Sequence, residues 1–167
     1  MPDLVLRDAT TAADLAQVRA LCWAYRDHLI DHAPATRALV EHFYPEDGYR
    51  ATLEALPGDH DAVLLAWHGD RAVGCAMSHP LEDGNCEIKR VYVAPAARGL
   101  GAGRALVSEL VARAEARGQA RVLLDTLKTL ESARALYHAL GFRERGPYAP
   151  LPPLEADALC FYEKVLT

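Results

Sequence analysis

No two cysteines stand close together in this sequence, no apolar run approaches the ~18 residues of a transmembrane helix, and no stretch concentrates positive charge. Each absence removes a class of function. The four cysteines, Cys22, Cys75, Cys86 and Cys160, lack the C-x-x-C spacing of a zinc site or a thiol redox centre, and they read as small core residues in a reducing compartment. With 18 basic against 23 acidic side chains the formal net charge is -5. That balance speaks against nucleic acid or a membrane surface as a partner, so any anion site must be local. Residues 1–7 show no basic segment leading into a long apolar one, and a soluble cytoplasmic protein is expected. Repeats, low-complexity tracts and linkers are missing as well. A chain of 167 residues with 51% hydrophobic content is therefore expected to form a single domain over residues 1–167 with a sizeable core.

What is present reads as alternating strands and helices. Leu4 to Arg7 is β-prone, and Thr11 with Asp14 three residues on is the signature of a helix start. Leu15, Val18, Leu21, Cys22 and Tyr25 keep one apolar face through a helix that extends to Leu29, with Pro34 blocking any continuation. Shorter helices are expected over 35–43 and 48–56. Ala62 to His68 and Ala72 to Ser78 form a hairpin about a Gly69-Asp70 turn, and Cys86 to Val93 adds a third antiparallel strand. A helix from Gly101 to Arg117, stopped by Gly118, leads to a strand over Val122 to Thr126, and so closes a βαβ unit with a parallel strand pair. A helix over Leu130 to Leu140 ends at Gly141, Phe142 opens another strand, and Ala158 to Val165 supplies the last. The fold class is α/β of the α+β type, with a mixed, mostly antiparallel sheet flanked by helices.

The stretch Val91-Tyr92-Val93-Ala94-Pro95-Ala96-Ala97-Arg98-Gly99-Leu100-Gly101-Ala102-Gly103-Arg104 runs from a strand, through three glycines, into a helix. Such a junction holds anions: glycine lets a ligand approach the backbone, free helix N–H groups point at it, and the helix dipole adds partial positive charge. A dinucleotide-binding G-x-G-x-x-G would need glycine at Arg104 or at Leu106, and a phosphate-binding loop of the G-K-[ST] kind would need Lys and then Ser or Thr directly after a glycine of this cluster, which does not occur. What the residues do fit is Arg-x-x-Gly-x-Gly, as Arg98, Gly101 and Gly103.

In this the chain resembles the GNAT-type N-acetyltransferases, whose turn amides hold the pyrophosphate of acetyl-CoA. A second element, Ala133-x-x-Leu136-Tyr137-x-x-x-Gly141-Phe142, is similar to the helix-to-strand signature that follows in that family. The resemblance implies the GNAT fold, acetyl-CoA as cosubstrate and an amine acceptor, with the protein a monomer or homodimer. It implies cofactor contacts from Val91, Tyr92, Val93, Arg98, Gly99, Leu100, Gly101, Ala102, Gly103, Arg104 and Ala133. One departure stands out: Leu130 occupies a position where many members carry an asparagine that contacts the pantetheine arm.

Transfer from a thioester to an amine needs a neutral amine, a polarised carbonyl and a protonated or stabilised leaving thiolate. Tyr137 is expected to be the general acid, since a phenol near ~10 roughly matches a thiolate near ~8.5. Backbone N–H groups around Val91 to Val93 are expected to polarise the carbonyl. Glu87 resembles the strand glutamate that several family members use as a base. Direct transfer from an ammonium near ~10.4 to a carboxylate near ~4.3 is uphill by ~8 kcal/mol, so burial must raise Glu87 or the acceptor must be depressed. Tyr25, Arg26 and His28 lie where the family's first helix shapes the acceptor pocket. His28 and His32 lack the H-E-x-x-H pattern and read as a solvated helix end, so no metal site is expected. Asp125 receives no role, although a strand-end carboxylate at a parallel-strand opening can meet a substrate amine. No cysteine or serine beside an activating base supports a covalent route, which leaves direct transfer to a small-molecule primary amine. The alternative is an acyl-CoA-binding module of the same fold without transferase activity.

Overall fold

The computed structural model describes residues 3–167. Seven strands form one sheet in the order β1-β2-β3-β4-β5-β7-β6, where β1 is Leu4–Asp8, β2 Ala62–His68, β3 Arg71–Pro80, β4 Cys86–Val93, β5 Arg121–Leu127, β6 Arg143–Arg145 and β7 Leu159–Val165. Every neighbouring pair is antiparallel except β4 and β5, which run parallel as expected for strands joined through a crossover helix. Among the described residues six α-helices flank the sheet: α1 Ala12–His32, α2 Pro34–Phe43, α3 Glu46–Glu54, α4 Ala102–Ala116, α5 Glu131–Ala139 and α6 Pro153–Ala158.

Each face of the sheet has its own core. On one side α4 lays Leu106, Val107, Leu110 and Ala114, all fully buried, against Leu64, Ala76, Val122 and Leu124. On the other, Val18 and Cys22 of α1 and Tyr49 and Leu53 of α3 pack on Leu65, Cys75 and Met77. Strand alternation supplies both sets, because successive side chains of β2 and β3 point to opposite faces. A third, smaller cluster of Leu29, Val40 and Leu127 joins the end of α1 and α2 to the end of β5. All four cysteines are buried.

Local signals fix the helix ends. The Thr11 hydroxyl accepts the Asp14 N–H at 3.1 Å while the Asp14 carboxylate accepts the Thr11 N–H at 3.3 Å, a reciprocal capping box. Gly118 and Gly141, at φ 74° and 87°, stop α4 and α5. In both, an N–H beyond the glycine returns to the last turn, Gln119 to the Ala114 carbonyl and Phe142 to the Tyr137 carbonyl, as in a Schellman motif.

Several boundaries differ from the sequence expectation. The first helix continues to His32, and Pro34 begins α2 rather than only ending what precedes it, because a proline at the first helical position forfeits no needed N–H. Strand β6 covers only Arg143–Arg145, with Phe142 turned into the core. The short helix α6 had no periodic apolar pattern to reveal it. Among the described residues, no helix is long and apolar enough to cross a membrane.

Candidate active site

Strands β4 and β5 pair over two rungs only, Cys86 with Val122 and Glu87 with Leu123, and then part. A bulge in β4 drives the separation. Between Cys75–Tyr92 and Met77–Lys89 the register against β3 slips, and Arg90 takes a left-handed φ of 55°, a conformation that a non-glycine residue adopts only under constraint. The resulting wedge is lined by Glu87, Lys89 and Val91 from β4, Asp125 from β5, and Leu130, Ala133 and Tyr137 from the start and middle of α5.

The glycine turn lies at the head of α4. Gly99 and Gly101 hold φ values of 87° and 82°, and a β-carbon added at either would meet nothing within 4 Å. Space is therefore open in front of the turn. Gly101 caps the helix with no side-chain hydrogen bond, and the first amide to bond into the helix is that of Ala105, to the Gly101 carbonyl at 3.0 Å. The amides of Ala102, Gly103 and Arg104 consequently have no intrahelical acceptor. Arg98, Gly99, Leu100 and Arg104 are exposed beside them, with Arg98 Nε donating to the Val93 carbonyl at 3.3 Å. Free amides, open space and two guanidinium groups fit a pyrophosphate. A β-carbon at Gly103, by contrast, would press on Leu136 at 3.3 Å, so that glycine serves the packing of α4 on α5.

Strand alternation divides the other expected cofactor contacts. Val91 and Val93 pack toward α4 and α5, whereas Tyr92 is buried on the opposite face with Tyr25 and His28 at ring distances of 5.9 and 6.2 Å. Only the backbone of Tyr92 can face the wedge side. Ala133 and Leu130 line the wedge, where Leu130 offers an apolar surface in place of an amide.

Tyr137 is buried, its ring packed between Phe142 and Tyr162 at 5.9 and 5.8 Å. Burial, then the nearby Asp125 and Tyr162, push its hydroxyl well above the ordinary phenol value. It is firmly protonated, and full transfer of its proton to a thiolate is uphill; its chemistry is that of a hydrogen-bond donor.

A second cavity of about 330 Å³ continues from the wedge between α1, α2, β5, β7 and the 146–152 loop. Four polar side chains, Glu87, Lys89, Asp125 and Tyr148, gather at its inner end, with His79 behind Glu87. His79 Nε2 lies 2.8 Å from Glu87 Oε1, Lys89 Nζ lies 3.7 Å from the same oxygen, and the Tyr148 hydroxyl donates to Glu87 Oε2 and, at 3.4 Å, to Asp125 Oδ2. Here the requirement placed on Glu87 is not met. Burial raises its carboxyl, but the His79 bond, the Lys89 charge and the Tyr148 bond outweigh burial and hold it below the ordinary glutamate value. The base-like carboxylate is Asp125. Asp125 lines the cavity and keeps exposed surface there, and the protein around it, with the Glu87 charge, pushes it up to about 6.

Of the three residues expected to shape the acceptor side, Tyr25 lines both cavities. Arg26 instead donates to the Tyr44 carbonyl at 2.9 Å and lies over Trp23, and His28 packs on Tyr92. Arg26, one position beyond Tyr25, points to another side of α1, whereas His28, three positions beyond, shares the face and the Tyr92 neighbour of Tyr25 but lines neither cavity. His32 bonds the Thr129 hydroxyl at 2.9 Å. Tyr148, Lys89 and Tyr44 complete the site without having been singled out, together with Asp125, to which the sequence alone assigns no role. Only Asp125 left a trace in the sequence, as a charge inside the apolar run of β5.

Residues 20–142 match the model of the acetyltransferase (GNAT) family. An uncharacterized N-acetyltransferase of Schizosaccharomyces pombe is 44% identical over 98 residues, covering 56% of this chain and 60% of its own length. An IAA acetyltransferase of Azospirillum brasilense is 36% identical over 112 residues, covering 66% and 73%. The chain thus spans rather less than two thirds of the first relative and somewhat more of the second. The solved PaiA N-acetyltransferase of Thermoplasma acidophilum, in complex with coenzyme A, shares the fold with a TM-score of 0.72 over 98% of this chain and 99% of that one, at 13% identity. The family match takes in the wedge, the glycine turn and Tyr137 together, and the chain belongs to the acetyltransferase (GNAT) family, the family of acetyl-CoA-dependent N-acetyltransferases.

Proposed function

We propose that this protein is an acetyl-CoA-dependent N-acetyltransferase acting by direct transfer on a primary amine of a small molecule, in the cytoplasm where that donor is available. The observation that carries the reading is the parting of β4 and β5 after two rungs, which leaves one wedge with the free amides of the glycine turn on one side and a carboxylate-bearing cavity on the other. The donor supplies an acyl group activated as a thioester. Arg98, Arg104 and the amides of Ala102 to Arg104 fit its pyrophosphate, and the backbone of Val91 to Val93 offers donors toward the acyl carbonyl.

Asp125 is the group we assign to take the amine proton. At about 6 its carboxyl is ionised at neutral pH yet more basic than an ordinary carboxylate. Lys89, 3.7 Å from Glu87, offsets part of the negative charge that would otherwise favour the protonated amine at this end of the cavity. Glu87, held ionised, is a positioning residue: it fixes the Tyr148 hydroxyl that also reaches Asp125. As the new C–N bond forms and the C–S bond breaks, the amine proton passes to Asp125 and the departing sulfur receives a hydrogen bond from Tyr137.

The test pairs calorimetric titration of acetyl-CoA with a thiol-release assay over a panel of primary amines. Binding together with amine-dependent release is expected. Binding without release for any amine would replace the enzyme by an acyl-CoA-binding module.

A further inference from the structure

The wall of the acceptor cavity is as informative as its polar end. Leu29 and Leu39 from the helices, Leu127 from β5, and Leu159 and Phe161 from β7 face the same space as Phe43. Among the described residues, the charged groups lining it are Glu87, Lys89 and Asp125, and all three belong to the inner end. At about 330 Å³ the cavity sits at the small end of the ~300–1,000 Å³ range of small-molecule sites.

We infer that the acceptor is a small monoamine with an uncharged, apolar body, aralkyl or branched alkyl, and without a carboxylate. This rests on the acetyl-transfer reading above and narrows it. The amine has two carboxylates to meet, Glu87 and Asp125, at the end of the cavity that adjoins the wedge. Any second charge on the acceptor has a worse fate. A distal ammonium, as in a diamine, would lie against Leu39, Phe43 and Leu159 with no partner, and losing its water uncompensated is costly. An α-carboxylate, as in an amino acid, would enter an end that holds two acidic groups against one lysine, with Lys89 already 3.7 Å from Glu87. A longer apolar body gains instead, because one methylene in such a pocket changes selectivity by ~10-fold or more.

Matched pairs of amines test this without requiring turnover. Calorimetry on the CoA-bound protein would compare 2-phenylethylamine with phenylalanine, which adds a carboxylate, and hexylamine with 1,6-diaminohexane, which adds a distal ammonium. The charged member of each pair is expected to bind at least ~10-fold more weakly. Equal or tighter binding of either charged member overturns the inference, as does failure of both apolar amines to bind. Leu39→Asp places a carboxylate on the half-buried wall of α2 and is expected to narrow or invert the hexylamine to diaminohexane ratio while CoA affinity stays unchanged; an unmoved ratio also overturns it. Thiol release measured on the same amines keeps the two readings apart. Apolar amines that bind in the expected order but release no thiol support this assignment of the cavity and strike only the proposed transfer.

Discussion

The donor side and the acceptor side of this site are made of different material. At the head of α4 the ligand-facing groups are main-chain amides within a run of a few residues, shaped by Gly99 and Gly101 at positive φ. The acceptor cavity is made of side chains that lie between Tyr25 and Phe161 in the chain and meet only through tertiary packing. A backbone device needs particular residue types at fixed spacing and so leaves a motif. A side-chain assembly can be rebuilt from other residues on the same scaffold, and it leaves none. The donor can therefore stay constant across a family while the acceptor changes.

The largest expected effect breaks the acceptor side alone. Asp125→Asn is expected to lower turnover by ~10²- to 10⁴-fold, the usual worth of an acid-base group, with acetyl-CoA affinity unchanged by calorimetry. The wild-type rate should rise with pH through about 6 as the carboxyl loses its proton, and the variant should lose that limb. Stability runs the other way. A carboxyl whose folded-state value is raised favours the native state at low pH, and that contribution is lost as pH climbs through about 6. At pH 7 Asp125→Asn should therefore melt higher than the wild type, and a lower Tm would contradict the raised proton affinity of this carboxyl.

Tyr137→Phe comes next, with turnover reduced by ~10²-fold and cofactor binding nearly unchanged, read by steady-state kinetics beside calorimetry. Unchanged turnover would remove the hydroxyl from the mechanism. On the donor side, Gly101→Val is expected to weaken CoA binding by ~10-fold. Its β-carbon meets no protein atom, so the loss would measure left-handed backbone strain of ~1–2 kcal/mol and crowding of the ligand. The smallest change, Leu130→Asn, adds one side-chain amide to the wedge and should tighten CoA binding a few-fold, in line with ~0.5–1.5 kcal/mol for a net hydrogen bond. A loss of affinity there would mean that the apolar surface of Leu130 is itself the contact.

The same contrast governs how much the amino-acid sequence discloses. Strands β2 to β5 and helix α4 follow from alternation, helical periodicity and glycine stops, because those signals are local. The parallel pair follows from the crossover, yet its restriction to two rungs does not: that depends on the bulge at Arg90, which no residue type announces. Glu87 lines both the wedge and the cavity, but its proton affinity is set by His79, Lys89 and Tyr148, and Tyr148 arrives from a loop 61 residues away. Arg26 sits one position from Tyr25 and helical geometry turns it to the Tyr44 carbonyl, while His28, on the face of Tyr25, meets the same Tyr92 without lining either cavity.

The two rungs between β4 and β5 also have a mechanical meaning. The sheet is two ladders, β1 to β4 and β5 to β7, hinged at Cys86–Val122 and Glu87–Leu123. The strand ends beyond that hinge are only half bonded, so the amides of β4 past Glu87 and of β5 past Leu123 are expected to open and exchange hydrogen faster than those of the central hairpin. A donor arm lying between them would act as a splint. It would slow exchange across the seam and raise the melting temperature by mass action, adding ~2.7 kcal/mol of stability at a hundredfold excess over its Kd.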